Sequence, residues 1–171
     1  QNKNQIWRPY LGAQASFGDY YKWGFLSTNF EIGTFFNQSK TYQTSISFQA
    51  NYFTKLLEVG RWKVRQFIKP EMIIGINRQN SIGDQLTINE NYGIYGFNAP
   101  IYGKSKAVLT LQTQTYAPKE ILGFRMNPFL NYSIAVLGTS NVGLLQNKYY
   151  SKLSVGVLIS NDYLVFSSFQ L

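Results

Sequence analysis

The 171-residue chain contains no cysteine and no histidine, and only 8 of its residues are acidic. Without cysteine there is no disulfide, no thiolate nucleophile and no sulfur-ligated metal, and redox chemistry gives no reading of the compartment. Without histidine the commonest general base and metal ligand is missing, which counts against hydrolytic and zinc chemistry. The carboxylates (Asp19, Glu31, Glu58, Glu71, Asp84, Glu90, Glu120 and Asp162) are too dispersed in sequence to suggest a metal cage or an acid–base pair. No glycine-rich phosphate loop and no serine-nucleophile motif occurs. The expectation is a chain that is not itself an enzyme and needs no cofactor or metal. An enzymatic domain elsewhere in a longer protein would not conflict with that.

Long apolar runs are missing too. No stretch approaches the roughly 20 residues of a membrane helix, and mean hydropathy is −0.19. That excludes helical spans but not barrel strands, whose alternation averages to near-neutral hydropathy. Basic runs are absent as well: the net charge of +8 comes from cations scattered singly, as at Arg65, Lys69, Arg78, Arg125 and Lys152. With no recognition module either, nucleic acid is not an expected partner. Gln1-Asn2-Lys3-Asn4 is not a signal peptide, so the expectation is that one was removed or that the chain starts partway through a longer protein.

What the chain does have is alternation. Residues 41–54, extended, send Tyr42, Ile46, Phe48, Ala50 and Tyr52 to one side. Thr41, Gln43, Ser45, Ser47, Gln49 and Asn51 go to the other. Period-two patterning recurs in 23–37, with Leu26, Phe30, Ile32 and Phe36 opposite Ser27, Asn29, Glu31 and Gly33. Segment 64–77 sets Ile68, Met72, Ile74 and Ile76 against Arg65, Lys69, Glu71, Gly75 and Asn77. Segments 106–116, 124–137 and 149–160 behave alike. Segment 6–17 alternates poorly, with Pro9 and Gly12 interrupting it, and a last strand over 163–171 has no clear facing. Residues 55–63 read as a link. Gly12, Gly33, Gly75 and Gly156, on the polar phase, read as relief for curvature or close side-chain approach.

Strands of about 12–14 residues are longer than the usual soluble strand and long enough to cross a bilayer obliquely. A lipocalin-like barrel or a sandwich is the soluble competitor, and strand length argues against it. The fold expected is an all-β, antiparallel transmembrane β-barrel of about eight strands, spanning 1–171 and seated in the cell outer membrane. The links after 106–116 and 149–160 are short, whereas those after 64–77 and 124–137 are long. That suits short periplasmic turns and longer extracellular loops, the longest being 78–104. Tyr21, Trp23, Tyr52, Trp62, Tyr116, Tyr132, Tyr149 and Tyr150 read as an interfacial aromatic girdle near strand ends. The charges Glu31, Arg65, Lys69, Glu71, Arg125 and Lys152 read as lumenal. Glu31 and Glu71 fall near Arg65, Lys69 and Arg125 in register and suggest an ion-pair network.

The run Gly93-Ile94-Tyr95-Gly96-Phe97, the link Lys104-Ser105-Lys106 and the strand Ala-Val-Leu-Thr-Leu-Gln-Thr-Gln-Thr-Tyr resemble part of the bacterial surface-antigen superfamily barrel. Leu122-Gly123-Phe124-Arg125 and Asp162-Tyr163-Leu164-Val165-Phe166-Ser167 continue the likeness. The abundance of Asn, Lys and Tyr is similar to that of barrels from the Bacteroidota. That superfamily includes the central insertase of the barrel-assembly machinery and the two-partner secretion transporters. By position, Ile94, Tyr95, Gly96 and Phe97 match its lumenal-loop motif, with Tyr95 standing where the family carries Arg. The resemblance implies polypeptide insertion or export, or a membrane anchor for such a protein. The implied partners are outer-membrane lipid and lipopolysaccharide, client polypeptides and other envelope proteins. It also implies a sixteen-stranded barrel, of which this chain would be roughly the second half without the final strand. The alternatives are a closed eight-stranded structural or solute-passing barrel and an accessory subunit of an envelope complex.

Overall fold

The computed structural model describes residues 9–37, 40–78, 85–89, 93–94, 96–138, 144–161 and 168–170. Its strands are β1 (Tyr10–Tyr21), β2 (Gly24–Asn37), β3 (Lys40–Thr54), β4 (Leu57–Val59), β5 (Trp62–Ile76), β6 (Ser105–Tyr116), β7 (Arg125–Gly138), β8 (Tyr149–Ser160) and β9 (Ser168–Gln170). They form one antiparallel sheet in the order β1-β2-β3-β5-β6-β7-β8-β9, with β4 paired beside β5. Apart from β4, each strand thus lies next to its sequence neighbour, a meander, and among the described residues the sheet does not close. Asp162 and the residues expected to begin the last strand, 163–167, lie outside the described residues.

Most strand ends fall within a residue or two of the alternation, because period two and β-branched or aromatic content both favour a pleated surface. Three features differ. Segment 6–17 becomes a full strand once shifted past Pro9, which has no N–H for a ladder. The 55–63 link contains β4, which turns at Gly60 and pairs Val59 with Trp62. Pro70 lies inside β5, where a proline would be expected to break a central strand. It pairs with Leu109 of β6, and the β3–β5 ladder has no pair between Gln49↔Glu71 and Tyr52↔Ile68, so the gap falls where the missing N–H stands.

The even phase of β3 does not run unbroken from Tyr42 to Tyr52. Gly33 pairs with Ser45 but Phe35 pairs with Tyr42, so Gln43 and Thr44 together oppose Thr34. Gln43 takes a positive φ of 51° at this bulge. The extra residue flips the phase, and Thr41, expected on the polar side, joins Ile32, Leu11 and Ala13 around an apolar recess.

Gly12 pairs with Gly33, and the Tyr10 ring lies over both. A Cβ at Gly33 would collide with the Tyr10 hydroxyl, so the glycine pair makes room for an aromatic cover. Gly33→Val should cost about 1–3 kcal/mol, and less in a Tyr10→Ala background. Chemical denaturation of the four proteins of that cycle measures the coupling; additive costs would refute it.

Candidate functional site on the polar face

The two faces of the sheet meet different surroundings. One face carries Leu11, Phe17, Phe30, Ile32, Met72, Leu130, Leu153 and Val155, all exposed, with Val155 at 78%. Two polar pairs on it satisfy each other: the Thr113 hydroxyl donates to Gln66 Oε1 at 2.6 Å, and Thr34 and Thr44 hydroxyls meet at 2.7 Å. No helix among the described residues is long and apolar enough to cross a membrane.

The other face carries Gln14, Ser16, Asn29, Glu31, Ser47, Gln49, Lys69, Thr110, Asn131, Ser133 and Lys152. Onto it folds part of the β5–β6 connection. Ile88 and Ile94, at 0% and 1% exposure, pack on Val108, Ala135 and Leu137, with Leu86, Phe97, Ile101 and Tyr150 around them. This is the buried apolar cluster of the chain's described residues, and it lies on the polar face. The loop is built to hold that position. Leu86 and Gly103 exchange backbone hydrogen bonds of 2.7 and 2.9 Å. The Asn89 amide donates to the Ala99 carbonyl at 2.5 Å and accepts from the Ala99 N–H at 3.3 Å. The Lys104 N–H donates to the Gly138 carbonyl of β7 at 2.9 Å.

Of the expected loop motif, Ile94, Gly96 and Phe97 are described. The Phe97 N–H donates to the Ile94 carbonyl at 2.9 Å, closing a four-residue turn with Gly96 in third position at φ 72°. Glycine adopts that positive φ without strain. Ile94 is buried, the Phe97 ring lies 5.9 Å from that of Tyr150, and the Lys152 amino group lies beside Gly96. Tyr95 lies outside the described residues.

The charged residues are distributed differently from the expected network. Glu71 faces Lys106, 1% exposed, at 3.8 Å, and Arg125 binds Glu120 in the β6–β7 turn at 2.8 Å. Glu31 lines a polar recess of about 360 Å³ with Gln14, Asn29, Ser47, Gln49 and Arg78, and has no ion-pair partner among the described residues. Arg65 lies over the Phe53 ring at 4.9 Å and Lys69 near the Phe67 ring at 5.9 Å. Glu31 and Glu71 therefore do not pair with Arg65, Lys69 and Arg125. The strand offset that sequence spacing leaves open places Lys106 nearest Glu71. Lys106 adjoins a loop in sequence, yet it shares a phase with Thr110 and Gln112. Val108, Ala135 and Leu137 carried a readable signal: apolar residues on an otherwise polar phase mark where something docks.

The aromatic girdle needs revision as well. Tyr21 stacks on Trp23 at 4.8 Å, and Trp23 meets Tyr52 at 5.0 Å at one strand end. Tyr132, however, lies mid-sheet between Leu111 and Leu153, and Tyr150 faces the loop. Among the described residues no group of three or more potential ligands could hold a metal. Comparison with protein-family models, with curated proteins and with solved structures finds no match to this chain.

Proposed function

We propose that the chain forms part of an outer-membrane β-barrel of the surface-antigen type, which inserts or exports polypeptide or anchors such a protein, with 78–104 as a lumen-folded loop. One observation carries the reading: among the described residues most of the apolar face is open, Val136 beside Leu145 being buried, while the opposite, polar face holds the loop. Exposed apolar area on that scale is far beyond what a soluble monomer tolerates, and hydrocarbon tails are the natural cover. Mutual pairing of Gln66 with Thr113 and of Thr34 with Thr44 supports it, since polar groups facing lipid have no water to bond. Open sheet edges cannot face lipid either, which favours closure by further strands and a barrel larger than this chain.

The full-length protein should need detergent for extraction and migrate faster on a gel before boiling than after. A protein that is soluble and monomeric without detergent refutes the membrane reading. In reconstituted vesicles, loss of client-strand assembly or export on deleting the protein would support the polypeptide role. Unchanged assembly and export would leave the reading of a structural or solute-passing barrel in its place.

A further inference from the structure

The polar face breaks its own pattern in one row. Tyr20, Phe25, Phe53 and Phe67 stand in register on β1, β2, β3 and β5, so four large rings cross four neighbouring strands on the side otherwise given to Ser, Asn, Gln and Lys. Their centroids are 4.6 Å apart for Tyr20–Phe25, 5.1 Å for Phe25–Phe53 and 5.8 Å for Phe53–Phe67. Tyr20 is 75% exposed, and the docked loop packs elsewhere, on Val108, Ala135 and Leu137. The rings lie toward the end of the sheet with the short β1–β2 turn. Rows that violate local patterning without a packing need are where function is expected.

The charges nearest this row are positive; Glu58 stands farther off, paired with Lys63 at the β4–β5 turn. Arg65 and Lys69 sit on the ring faces, and the register partners of the row and of its neighbours on the polar face include no carboxylate. Glu31 and Glu71 belong to rows nearer the loop. A strip of rings flanked by cations recognises a partner that offers apolar groups and negative charge together. Three of the four rings are phenylalanine and carry no hydroxyl to bond a sugar, which favours a peptide over an acidic glycan.

We propose that the Tyr20–Phe25–Phe53–Phe67 strip, with Arg65 and Lys69, is a docking surface for an extended acidic polypeptide segment that alternates apolar and acidic side chains. The proposal rests on the barrel reading above, under which the strip lines the lumen near its periplasmic mouth. Apolar side chains of the segment lie along the ring row, and its carboxylates meet the guanidinium and ammonium groups.

The test uses the full-length protein in detergent and fluorescence anisotropy with three labelled probes. These are a short peptide alternating glutamate and leucine, the same peptide with lysine for glutamate, and an acidic oligogalacturonate. The glutamate peptide should bind, and the lysine peptide should bind at least about tenfold more weakly. Arg65→Gln with Lys69→Gln should weaken the glutamate peptide about tenfold. Phe53→Ser with Phe67→Ser should do the same while preserving heat-modifiable migration, because the substituted serines match the polar face. Equal binding of both peptides, indifference to either double variant, or preference for the glycan overturns the proposal. A heat-modifiable protein that binds neither peptide overturns this proposal alone. A protein that needs no detergent overturns the barrel reading and this proposal with it.

Discussion

Leu111→Arg should destabilise the protein by about 2–4 kcal/mol, whereas Gln112→Arg, one residue along the same strand, should cost less than about 1 kcal/mol. Leu111 lies mid-strand on the apolar face, between Ile68 and Tyr132, and Gln112 lies on the opposite face between Phe67 and Asn131. On the membrane reading proposed above, an arginine on the first must bring its charge to hydrocarbon or bend away from it. On the second it projects into water. Urea unfolding of the protein folded into lipid vesicles measures both. Leu111→Ala sharpens the contrast. In a packed interior, truncating a leucine leaves a cavity and costs about 2–5 kcal/mol, because neighbouring side chains relax only partly. On the membrane reading, fluid lipid tails refill the space, so a cost well below that range is expected. Equal costs for the two arginines, or an alanine cost at the top of the range, would mean that protein covers the apolar face.

The second large effect is expected at the loop. Ile94→Asp should undock the connection between β5 and β6 and raise the rate of proteolytic cutting there about thirtyfold or more, with the strands still resistant. Ile94 is 1% exposed and packs in the cluster with Ile88, Val108, Ala135 and Leu137. Loss of a buried isoleucine is worth about 2–5 kcal/mol, and a carboxylate in that cluster adds a desolvation cost. Cutting of a transiently opened segment follows its opening free energy, so docking energy reads out directly as a rate. Ile94→Leu, similar in volume, should change the rate little. If Ile94→Asp leaves the loop as protected as before, the backbone bonds of Leu86, Gly103 and Lys104 hold it without the apolar anchor.

Strand positions were legible because the pattern is local. Thr110, Gln112 and Gln114 alternate with Leu109, Leu111 and Thr113 whatever the chain does elsewhere, and the pleat turns that alternation into two faces. The bulge at Gln43 was not legible. Both of its phases put acceptable residues on each side, and only the lengths of β2 and β3 between their turns decide where the extra residue goes. Ion pairs were harder still. Glu71 could face any cation within a few residues on a neighbouring strand, and a single register step selects Lys106. Ile94 and Gly96 resemble part of a loop motif, but nothing in four residues says that the partner surface is Val108, Ala135 and Leu137.

By itself the sequence determined that the chain is made of long strands, one side apolar and one side polar, and that it holds no cysteine and no histidine. Those properties depend on residue type and period, which are fixed before folding. Tertiary structure alone decided which strand residues stand opposite each other, which face receives the loop and where four aromatic rings come into line. Such contacts join residues tens of positions apart, and their register is set by bulges, turn lengths and a proline gap acting together, none of which alternation encodes.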